Sequence, residues 1–469
     1  MRLLFRHLVG FILLTVFSIT PSLLCASRQA VDDAILVRLS TENRLMSLFL
    51  AKFPQTNSAF DRKYLNKLES ILDFDLSHNG MTLTVSHTKE LDNLASSTTF
   101  DAPRNLEVWK ARNIFYLVRA HIDNKMLSIQ VVSVNNGITH RSYSVTLTGD
   151  ISQDRSLIHQ LADSIHHALF NTEGIASTRF LYTVKSRPSN SSDSYQWISE
   201  VWEADYDGGN ARQITHENTL CVTPAYIPPK KGYSSSGAFL YVSYKTGQPK
   251  IYIASLRDGK GRRFSYLPGN QLMPSVSLQR DKVSFISDVT SNPDVFLQPF
   301  NPDVGALGKP RQIFTARYAT QGSPVFSPDG RKVAFVSNKD GPPRIYVMDV
   351  PPPGASTKQI KLAVITKRNR ENTAPAWSPD GSKIAYCAKT GNFRQIWIYN
   401  CVTSEEYQLT QGPGNKENPT WAPNNLHLIF NSASEDSSEL YLVNLNQPET
   451  IKISSGPGEK RFPCWEPHP

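Results

Sequence analysis

The sequence predicts a small α/β domain followed by an all-β six-bladed β-propeller that is closed by a C-terminal strand. Two observations predict the propeller: a motif built around a proline recurs six times after residue 220, and three strand-like runs lie between successive copies. A third observation, helical periodicity, is confined to the residues before 175 and predicts the α/β domain. With 469 residues, the chain is long enough for two or three domains. We therefore divide it into residues 1–27, an export signal, 28–175, the α/β domain, and 176–469, the propeller.

The repeat is clearest at 323–330, Ser-Pro-Val-Phe-Ser-Pro-Asp-Gly, and at 374–381, Ala-Pro-Ala-Trp-Ser-Pro-Asp-Gly. Its first proline, the anchor, recurs every 44 to 51 residues, which is typical of propeller blades. An aromatic residue stands two positions after five of the six anchors, and a serine or threonine stands nine positions before every anchor. The anchors are Pro224, Pro274, Pro324, Pro375, Pro419 and Pro463.

The runs between the anchors are interpreted as strands. The first ends on an aromatic residue, the second carries an aromatic after an aliphatic residue, and the third ends at the hydroxyl residue. Short β-branched and aromatic runs between Asp-Gly or Pro turns are typical of strands. With the anchor run each unit has four strands, as a propeller blade requires. We expect the aromatic residues to pack between blades.

The two ends of the repeat predict how the ring closes. The first unit, 180–215, has three strands and no anchor strand, whereas the last anchor strand, around Pro463 and Trp465, has no strands after it. Residues 460–466 are therefore predicted to form the innermost strand of the first blade. This pairing would remove an exposed sheet edge.

Residues 28–175 lack the repeat and mix helices with strands. Apolar residues at helical spacing predict helices at 59–72 and 154–170, the second capped by Ser152 or Asp154. Strand-like runs lie at 35–39, 114–120, 127–132 and 143–147.

The first residues are typical of a secretory signal. Arg2 and Arg6 precede an apolar run at 8–19, which ends before Cys25. The run is shorter than the roughly 20 residues that span a bilayer. A lipoprotein signal at Cys25 is the alternative, but Leu24 stands where a small residue would be expected. We expect an exported protein without a membrane span.

Charge and cysteine usage exclude several classes of protein. The formal net charge is +9, but basic residues form only short clusters such as 367–370, so scattered surface charge is expected rather than nucleic-acid binding. Cys-x-x-Cys pairs are absent, so neither a zinc ribbon nor a thioredoxin-type redox site is predicted. Free thiols or one bridge are expected among the four cysteines after the signal, Cys221, Cys387, Cys401 and Cys464.

No catalytic motif is found. The stretch 232–236 resembles a nucleophile elbow but lacks its last glycine, and P-loop and dinucleotide-binding glycine motifs are absent. Propellers also accompany hydrolase domains, but this sequence ends at its predicted closing strand. We expect no enzymatic activity and no cofactor.

No metal site is predicted either. His159, His166 and His167 lie on a predicted helix without a His-Glu-x-x-His motif and are interpreted as solvated. Asp329 and Asp380 could be considered metal ligands, but Asp-Gly between two strands is first a hairpin turn signal.

The topology of a blade predicts where a partner would bind. The innermost strand of a blade lines the central channel, and the loop that leads into it crosses one face of the disc, opposite the Pro-Asp-Gly turns. These loops therefore ring one mouth of the channel, and they are polar and contain arginine, which is favoured at interfaces. The candidate partner-binding residues are Asn270, Gln271, Arg317, Gln321, Arg370, Glu371, Asn372, Lys416, Glu417, Asn418 and Arg461.

Together with the repeat, three segments resemble the TolB family of six-bladed propellers. They are Gly-Ile-Ala-Ser-Thr-Arg-Phe-Leu-Tyr at 174–182, Asp-Tyr-Asp-Gly-Gly-Asn at 205–210 and Lys-Arg-Phe-Pro-Cys-Trp-Glu-Pro at 460–467. The resemblance implies a non-enzymatic periplasmic adaptor of the Tol–Pal complex. Such a protein binds the peptidoglycan-associated lipoprotein Pal through one mouth and links it to inner-membrane Tol proteins. It would maintain outer-membrane integrity, support cell division and, we expect, act as a monomer.

The sequence departs from the family pattern in places. The anchors at 277–280 and 422–425 lose Ser-Pro-Asp-Gly, and residues 28–33 do not match the family's TolA-binding peptide, which puts a TolA-type contact in doubt. Two alternative functions are a propeller that binds a sugar or peptidoglycan fragment in its channel, and an orphaned hydrolase-type propeller.

Overall fold

The structure is a computed structural model that describes residues 45–96, 106–187, 197–355 and 360–468. The predicted export signal, Cys25, the predicted strand at 35–39 and residues 28–33 lie outside the described residues. Among the described helices, none combines the length and the apolar character needed to cross a membrane. The described residues fall within one compact unit, 43–469, so the predicted boundary at 175/176 stays a prediction.

The first part of the described chain is a five-stranded sheet with helices, as expected for an α/β domain. The strand order is β2-β1-β3-β4-β5, with β1 parallel to β2 and β3 and the other pairs antiparallel. The helices are α1 (Arg62–Ser77), α2 (Lys89–Ser96), α3 (Leu106–Lys110) and α4 (Ile151–Phe170). The strands are β1 (Met46–Leu50), β2 (Thr82–Thr84), β3 (Tyr116–Asp123), β4 (Met126–Ser133) and β5 (Thr139–Thr146).

The helix ends differ from the sequence prediction because other side chains cap them. Asp61 accepts the first-turn N–H of Tyr64, so α1 begins three residues later than predicted. Asp150, rather than Ser152 or Asp154, caps α4. Asp154 is buried instead and accepts hydrogen bonds from the Tyr64 hydroxyl and the Thr148 backbone.

The remaining strands form six sheets, which are the six blades. Each blade is antiparallel, and its strands are counted outward from the inner strand, which lies at the channel. Blade 1 contains β6 (Arg179–Ser186), β7 (Ile198–Asp205), β8 (Arg212–Gln213) and, as its inner strand, β30 (Glu459–Trp465). Blade 2 contains β9 (Cys221–Tyr226), β10 (Ala238–Ser243), β11 (Lys250–Ser255) and β12 (Arg262–Arg263). Blade 3 contains β13 (Gln271–Val276), β14 (Lys282–Ser287), β15 (Asp294–Asn301), β16 (Gly305–Ala306) and β17 (Arg311–Phe314).

The other three blades follow the same order. Blade 4 contains β18 (Gln321–Phe326), β19 (Lys332–Ser337), β20 (Arg344–Asp349) and β21 (Ala363–Val364). Blade 5 contains β22 (Asn372–Trp377), β23 (Lys383–Thr390), β24 (Phe393–Asn400) and β25 (Glu406–Gln408). Blade 6 contains β26 (Asn415–Trp421), β27 (His427–Ala433), β28 (Ser438–Asn444) and β29 (Ile451–Lys452).

The predicted closure by the C-terminal strand is confirmed. β30 pairs antiparallel with β6, with Trp465 opposite Phe180. The Trp465 indole N–H donates to the Thr178 hydroxyl over 2.9 Å, and the ring is 3% exposed. The first and last parts of the propeller sequence are therefore joined in one sheet.

Cross-strand aromatic pairs explain the aromatic periodicity. The second and third strands of every blade place their aromatic residues opposite each other, such as Phe285 with Phe296, where the ring centroids are 5.9 Å apart. The hydroxyl residue before each anchor also has a structural role in four blades, because its oxygen accepts a backbone N–H of the third strand. These acceptors are Thr215, Thr366, Thr410 and Ser454.

The α/β part packs on the face of the propeller where the inner strands end. One apolar cluster contains residues of α1 and α4 together with Phe180, Tyr206, Leu442 and other propeller residues. The His427 ring donates from Nε2 to the His78 carbonyl oxygen over 2.8 Å, and the Asn446 amide donates to the Gly80 carbonyl over 2.8 Å. These contacts lie in blade 6, beside the turns that follow its inner and third strands. The opposite face of the disc carries the loops that lead into the inner strands.

Candidate functional site

The central channel is lined by the inner strands of all six blades. The six anchor prolines face one cavity of about 310 Å³, together with apolar side chains such as Met273, Val325 and Phe462. The repeat that is visible in the sequence is therefore the lining of this channel.

The residue before every anchor proline has a left-handed backbone conformation. The φ angles lie between 46° and 54° at Thr223, Met273, Ser323, Ala374, Asn418 and Phe462. Such angles are uncommon for residues other than glycine. The pairing register of each inner strand shifts at the same place, which is a β-bulge in every inner strand.

The loops that connect the outer strand of one blade to the inner strand of the next are named here the crossover loops. They meet the turns between second and third strands: the Asn270 backbone N–H and amide donate to Asp288, and the Thr320 backbone N–H donates to Asn338. The crossover loops therefore lie on the face of the disc opposite the α/β part. All eleven predicted partner-binding residues lie in these loops or at the beginning of the inner strands.

Four of the eleven side chains are buried and bind the protein itself. The Gln271 amide donates to the Leu267 carbonyl over 2.9 Å, and the Asn372 amide donates to the Asn369 carbonyl over 2.8 Å. The Lys416 ammonium donates to loop carbonyls, that of Gly414 among them. Gln321 is 2% exposed at the equivalent position. These side chains hold the crossover loops in place and are not exposed at the mouth.

The other seven are at least partly exposed, to different extents. Asn418 lines the channel and donates to the Asn431 side chain over 2.8 Å. Arg461 is paired with Glu459 over 3.0 Å. Arg317 and Arg370 are exposed. The remaining three, Asn270, Glu371 and Glu417, are half-buried.

Two aromatic side chains on the crossover loops were missed by the sequence analysis. Tyr266 is 81% exposed and Tyr318 is 86% exposed. The guanidinium of Arg263 lies 5.2 Å from the Tyr266 ring centre, and that of Arg317 lies 4.6 Å from the Tyr318 ring centre. Each tyrosine lies in a crossover loop, outside the repeat and within three residues of an arginine, and this is the signal that could have identified them.

The Ser-Pro-Asp-Gly segments form turns. The Asp329 carboxylate accepts hydrogen bonds from the Ser327 hydroxyl and from the Arg331 backbone N–H. Asp380 accepts from Ser378 and Ser382 in the same manner. Both carboxylates are explained by the hairpin.

The interpretation of the α4 histidines as solvated is wrong for two of the three. His159 and His166 are buried, whereas His167 is exposed, because α4 lies between the sheet and the propeller. His159 Nδ1 lies 2.8 Å from Asp75 Oδ2. Asp75, His159 and Asp207 also have side-chain atoms close enough together to hold a metal ion.

Burial and neighbouring charges shift the pKa values of Asp75 and His159. Burial raises the pKa of Asp75 to about 6, although His159 beside it acts in the opposite direction. Burial disfavours the protonated form of His159, but the charges of Asp75 and Asp207 outweigh it and raise the pKa of His159.

The four described cysteines, Cys221, Cys387, Cys401 and Cys464, are free thiols. Burial raises the pKa of Cys387 and of Cys464 to about 11. These two thiols therefore stay protonated at neutral pH, where they are poor nucleophiles.

Comparison with known proteins identifies the family. Residues 166–469 match the model of the TolB beta propeller domain. The chain is 54% identical to a "Protein TolB homolog" of Protochlamydia amoebophila over 88% of this chain and 87% of that protein. The chain belongs to the TolB family. A TolB homolog of Chlamydia felis is 37% identical over 81% of this chain and 82% of that protein.

A solved TolB structure has the same fold. The crystal structure of TolB from Acinetobacter baumannii superimposes on this TolB-family chain with a TM-score of 0.71, covering 90% of this chain and 97% of that one at 20% identity. The α/β part and the propeller therefore both belong to the TolB architecture.

Proposed function

We propose that this chain is a non-enzymatic periplasmic adaptor of a Tol–Pal-type envelope complex. The mouth ringed by the crossover loops binds a Pal-type peptidoglycan-associated lipoprotein, and the protein links it to inner-membrane Tol proteins, maintaining outer-membrane integrity and supporting division. Membership of the TolB family supports this role. The α/β part leaves the crossover-loop mouth open, which supports its use by a partner.

An arc of exposed arginine and tyrosine side chains on the crossover loops carries the proposal. Tyr266, Arg317 and Tyr318 lie on the loops that enter blades 3 and 4. Tyrosine and arginine are enriched among the residues that contribute most to protein–protein affinity. A solvated surface without a partner does not require two tyrosines that are more than four-fifths exposed.

Charge indicates the kind of surface that would dock here. The crossover loop into blade 5 exposes Lys367, Arg368 and Arg370, with Glu371 beside them. A partner with acidic residues at the matching position would be attracted over a distance and oriented by this loop. The channel lining is largely apolar, which favours an inserted protein loop over a sugar.

The test compares charge reversal at the two faces of the disc. The double variant Arg317→Glu/Arg370→Glu should lose Pal-type lipoprotein in a pull-down from envelope extract, and binding by the wild type should weaken with salt. Arg331→Glu is the matched control, because Arg331 is exposed in a Pro-Asp-Gly turn on the other face. Arg461 is a poorer choice because reversal there would also break its pair with Glu459. Equal capture by all three proteins at low and high salt would contradict the proposal.

The non-enzymatic part of the proposal has its own test. A serine-directed covalent probe should not label the folded protein stoichiometrically. Stoichiometric labelling that disappears on denaturation would favour the hydrolase-type alternative.

A further inference from the structure

A buried group of acidic side chains surrounds His159 where α4 meets blade 1. It consists of Asp75 on α1, His159 on α4, Asp205 at the end of β7 and Asp207 in the turn that follows, and it is named here the interface cluster. His159 Nε2 lies 3.9 Å from Asp205 Oδ2 and 3.9 Å from Asp207 Oδ2. The α/β part and the propeller both contribute to it.

The unsatisfied nitrogen of His159 points into this cluster. The side chain is 2% exposed, and Nε2 has no hydrogen-bond partner among the described residues. A distance of 3.9 Å is too long for a hydrogen bond to either carboxylate. Buried polar atoms are almost always satisfied, so this nitrogen needs a partner.

The hydrogen bond to Asp75 occupies Nδ1 and leaves Nε2 as the nitrogen that can bind a cation in place of a proton. Because the Asp75 carboxylate accepts, Nδ1 carries the proton, and in the neutral ring Nε2 presents its lone pair. Nε2 faces Oδ2 of Asp205 and Oδ2 of Asp207, and each of these oxygens also accepts one hydrogen bond, from the Asn210 amide over 2.8 Å and from Arg155, respectively. A histidine held by a carboxylate through its other nitrogen is the usual arrangement of a metal-ligating imidazole.

Charge also favours a cation. Arg155 contacts Asp207 and lies 3.5 Å from Asp205, but it faces three carboxylates. Arg179, 3.6 Å from Asp205, also lies 3.9 Å from Glu203 and divides its charge between them. Three carboxylates therefore face Arg155, the shared Arg179 and the His159 ring, and a divalent cation in place of the Nε2 proton would add one positive charge to this buried group.

We propose that the interface cluster binds one divalent transition-metal cation of the Zn²⁺ class. His159 Nε2 and the carboxylates of Asp205 and Asp207 are its ligands, and Asp75 orients the imidazole. One nitrogen and two oxygens suit a borderline cation such as Zn²⁺, whose ligand atoms lie about 3.4 Å apart, so each of the two oxygens would approach Nε2 by about half an ångström. The ion joins α4 to blade 1.

The cation has a route to the cluster. A surface groove of about 370 Å³ is lined by Lys67, Ser70, Arg155 and Asp207, so Asp207 is reached from solvent beside Arg155. The Arg155 guanidinium competes with the ion for both carboxylates. Its removal should therefore strengthen metal binding, which a purely structural role for the cluster would not produce.

Titration of the chelator-treated exported chain with ZnCl₂, followed by calorimetry, tests the proposal. The wild type should bind one Zn²⁺, His159→Gln should bind it at least about tenfold more weakly because one ligand is lost, and Arg155→Met should bind it several-fold more tightly. His167→Gln is the matched control, because His167 is exposed on the same helix. The melting temperature should rise with added Zn²⁺ in the wild type and Arg155→Met.

Three outcomes would overturn the proposal. They are the absence of Zn²⁺ binding by the folded wild type, equal binding by wild type and His159→Gln, and weaker binding by Arg155→Met than by the wild type. If His159→Gln does not fold, the proposal is still tested by the Zn²⁺ stoichiometry of the wild type and by the comparison of Arg155→Met with the wild type.

Discussion

His427 is neutral in the folded protein because it is fully buried between blade 6 and α1. Its Nε2 donates to the His78 carbonyl, so Nδ1 is left to accept from the Asn424 amide over 3.0 Å. Burial lowers the pKa of His427 to about 3 and that of His166 to about 4. Because these two histidines remain neutral in the folded protein, a fall in pH should lower the free energy of unfolding.

The sign of the pH effect follows from these values. In the unfolded chain both histidines bind protons below about pH 6.5, whereas the folded protein does not until pH falls to about 4 and about 3. Their contribution to stability is therefore complete above about pH 6.5 and is lost as pH falls from there through the folded values. At pH 5 the loss at His427 is on the order of 2 kcal/mol.

Urea unfolding at pH 7.5 and pH 5.0 measures this effect. The drop in the free energy of unfolding between the two pH values should be smaller in His427→Gln than in the wild type. Exposed His167 provides the control, and His167→Gln should show the wild-type drop. If His427→Gln and the wild type lose the same stability, His427 is not the group responsible.

At the scale of elements, the closing strand β30 has the largest single effect that we expect on the propeller. Without it, β6 becomes an unpaired edge and the channel loses one of its six walls. Burial of Trp465 alone is worth about 3–5 kcal/mol by the usual cost of aromatic truncation.

Truncation tests the closure. A chain that lacks residues 460–469 should lose at least that free energy of unfolding and should aggregate more readily. A chain that lacks only 467–469 keeps β30 and should unfold close to the wild type. Equal stability of the two truncated chains would contradict the closure.

At the scale of the whole molecule, the α/β part and the propeller share one apolar cluster. Helix residues such as Leu68 and Ile165 belong to the same cluster as Tyr206 and Leu442 of the propeller. A shared core couples two parts into one cooperative transition, whereas a small polar interface would let them unfold separately.

Calorimetry distinguishes these cases. We expect a single unfolding transition, and Leu68→Ala, which leaves a cavity at a fully buried position of α1, should destabilise the molecule by about 2–5 kcal/mol and move the entire transition. The matched variant Ile384→Ala in blade 5 should move the same transition. A shift of only part of the heat absorption in Leu68→Ala would show that the α/β part unfolds independently.

Much of the architecture could be predicted because the same local sequence pattern, an anchor motif and three strand-like runs, recurs in all six blades. The anchors, the aromatic pairs and the closing strand follow from period-two alternation and constant spacing, which each blade must satisfy by itself. The helix ends were predicted less accurately. In the structure Asp61 and Asp150 cap α1 and α4, and the sequence has other capping residues nearby, such as Ser152 and Asp154. The strands β1 and β2 were not predicted, because β1 pairs in parallel with β2 and β3, which lie far from it in the sequence.

The sequence by itself determined the fold class, the order of the blades and which loops ring the channel. Only the tertiary structure decided which polar side chains in those loops are exposed to solvent. Gln271 and Lys416 resemble surface residues in the sequence, yet the crossover loops enclose them, because backbone carbonyls that leave solvent need donors. His159 likewise became a buried partner of Asp75, Asp205 and Asp207 because α4 packs against blade 1. Burial depends on contacts between residues far apart in the chain, and local sequence patterns do not contain that information.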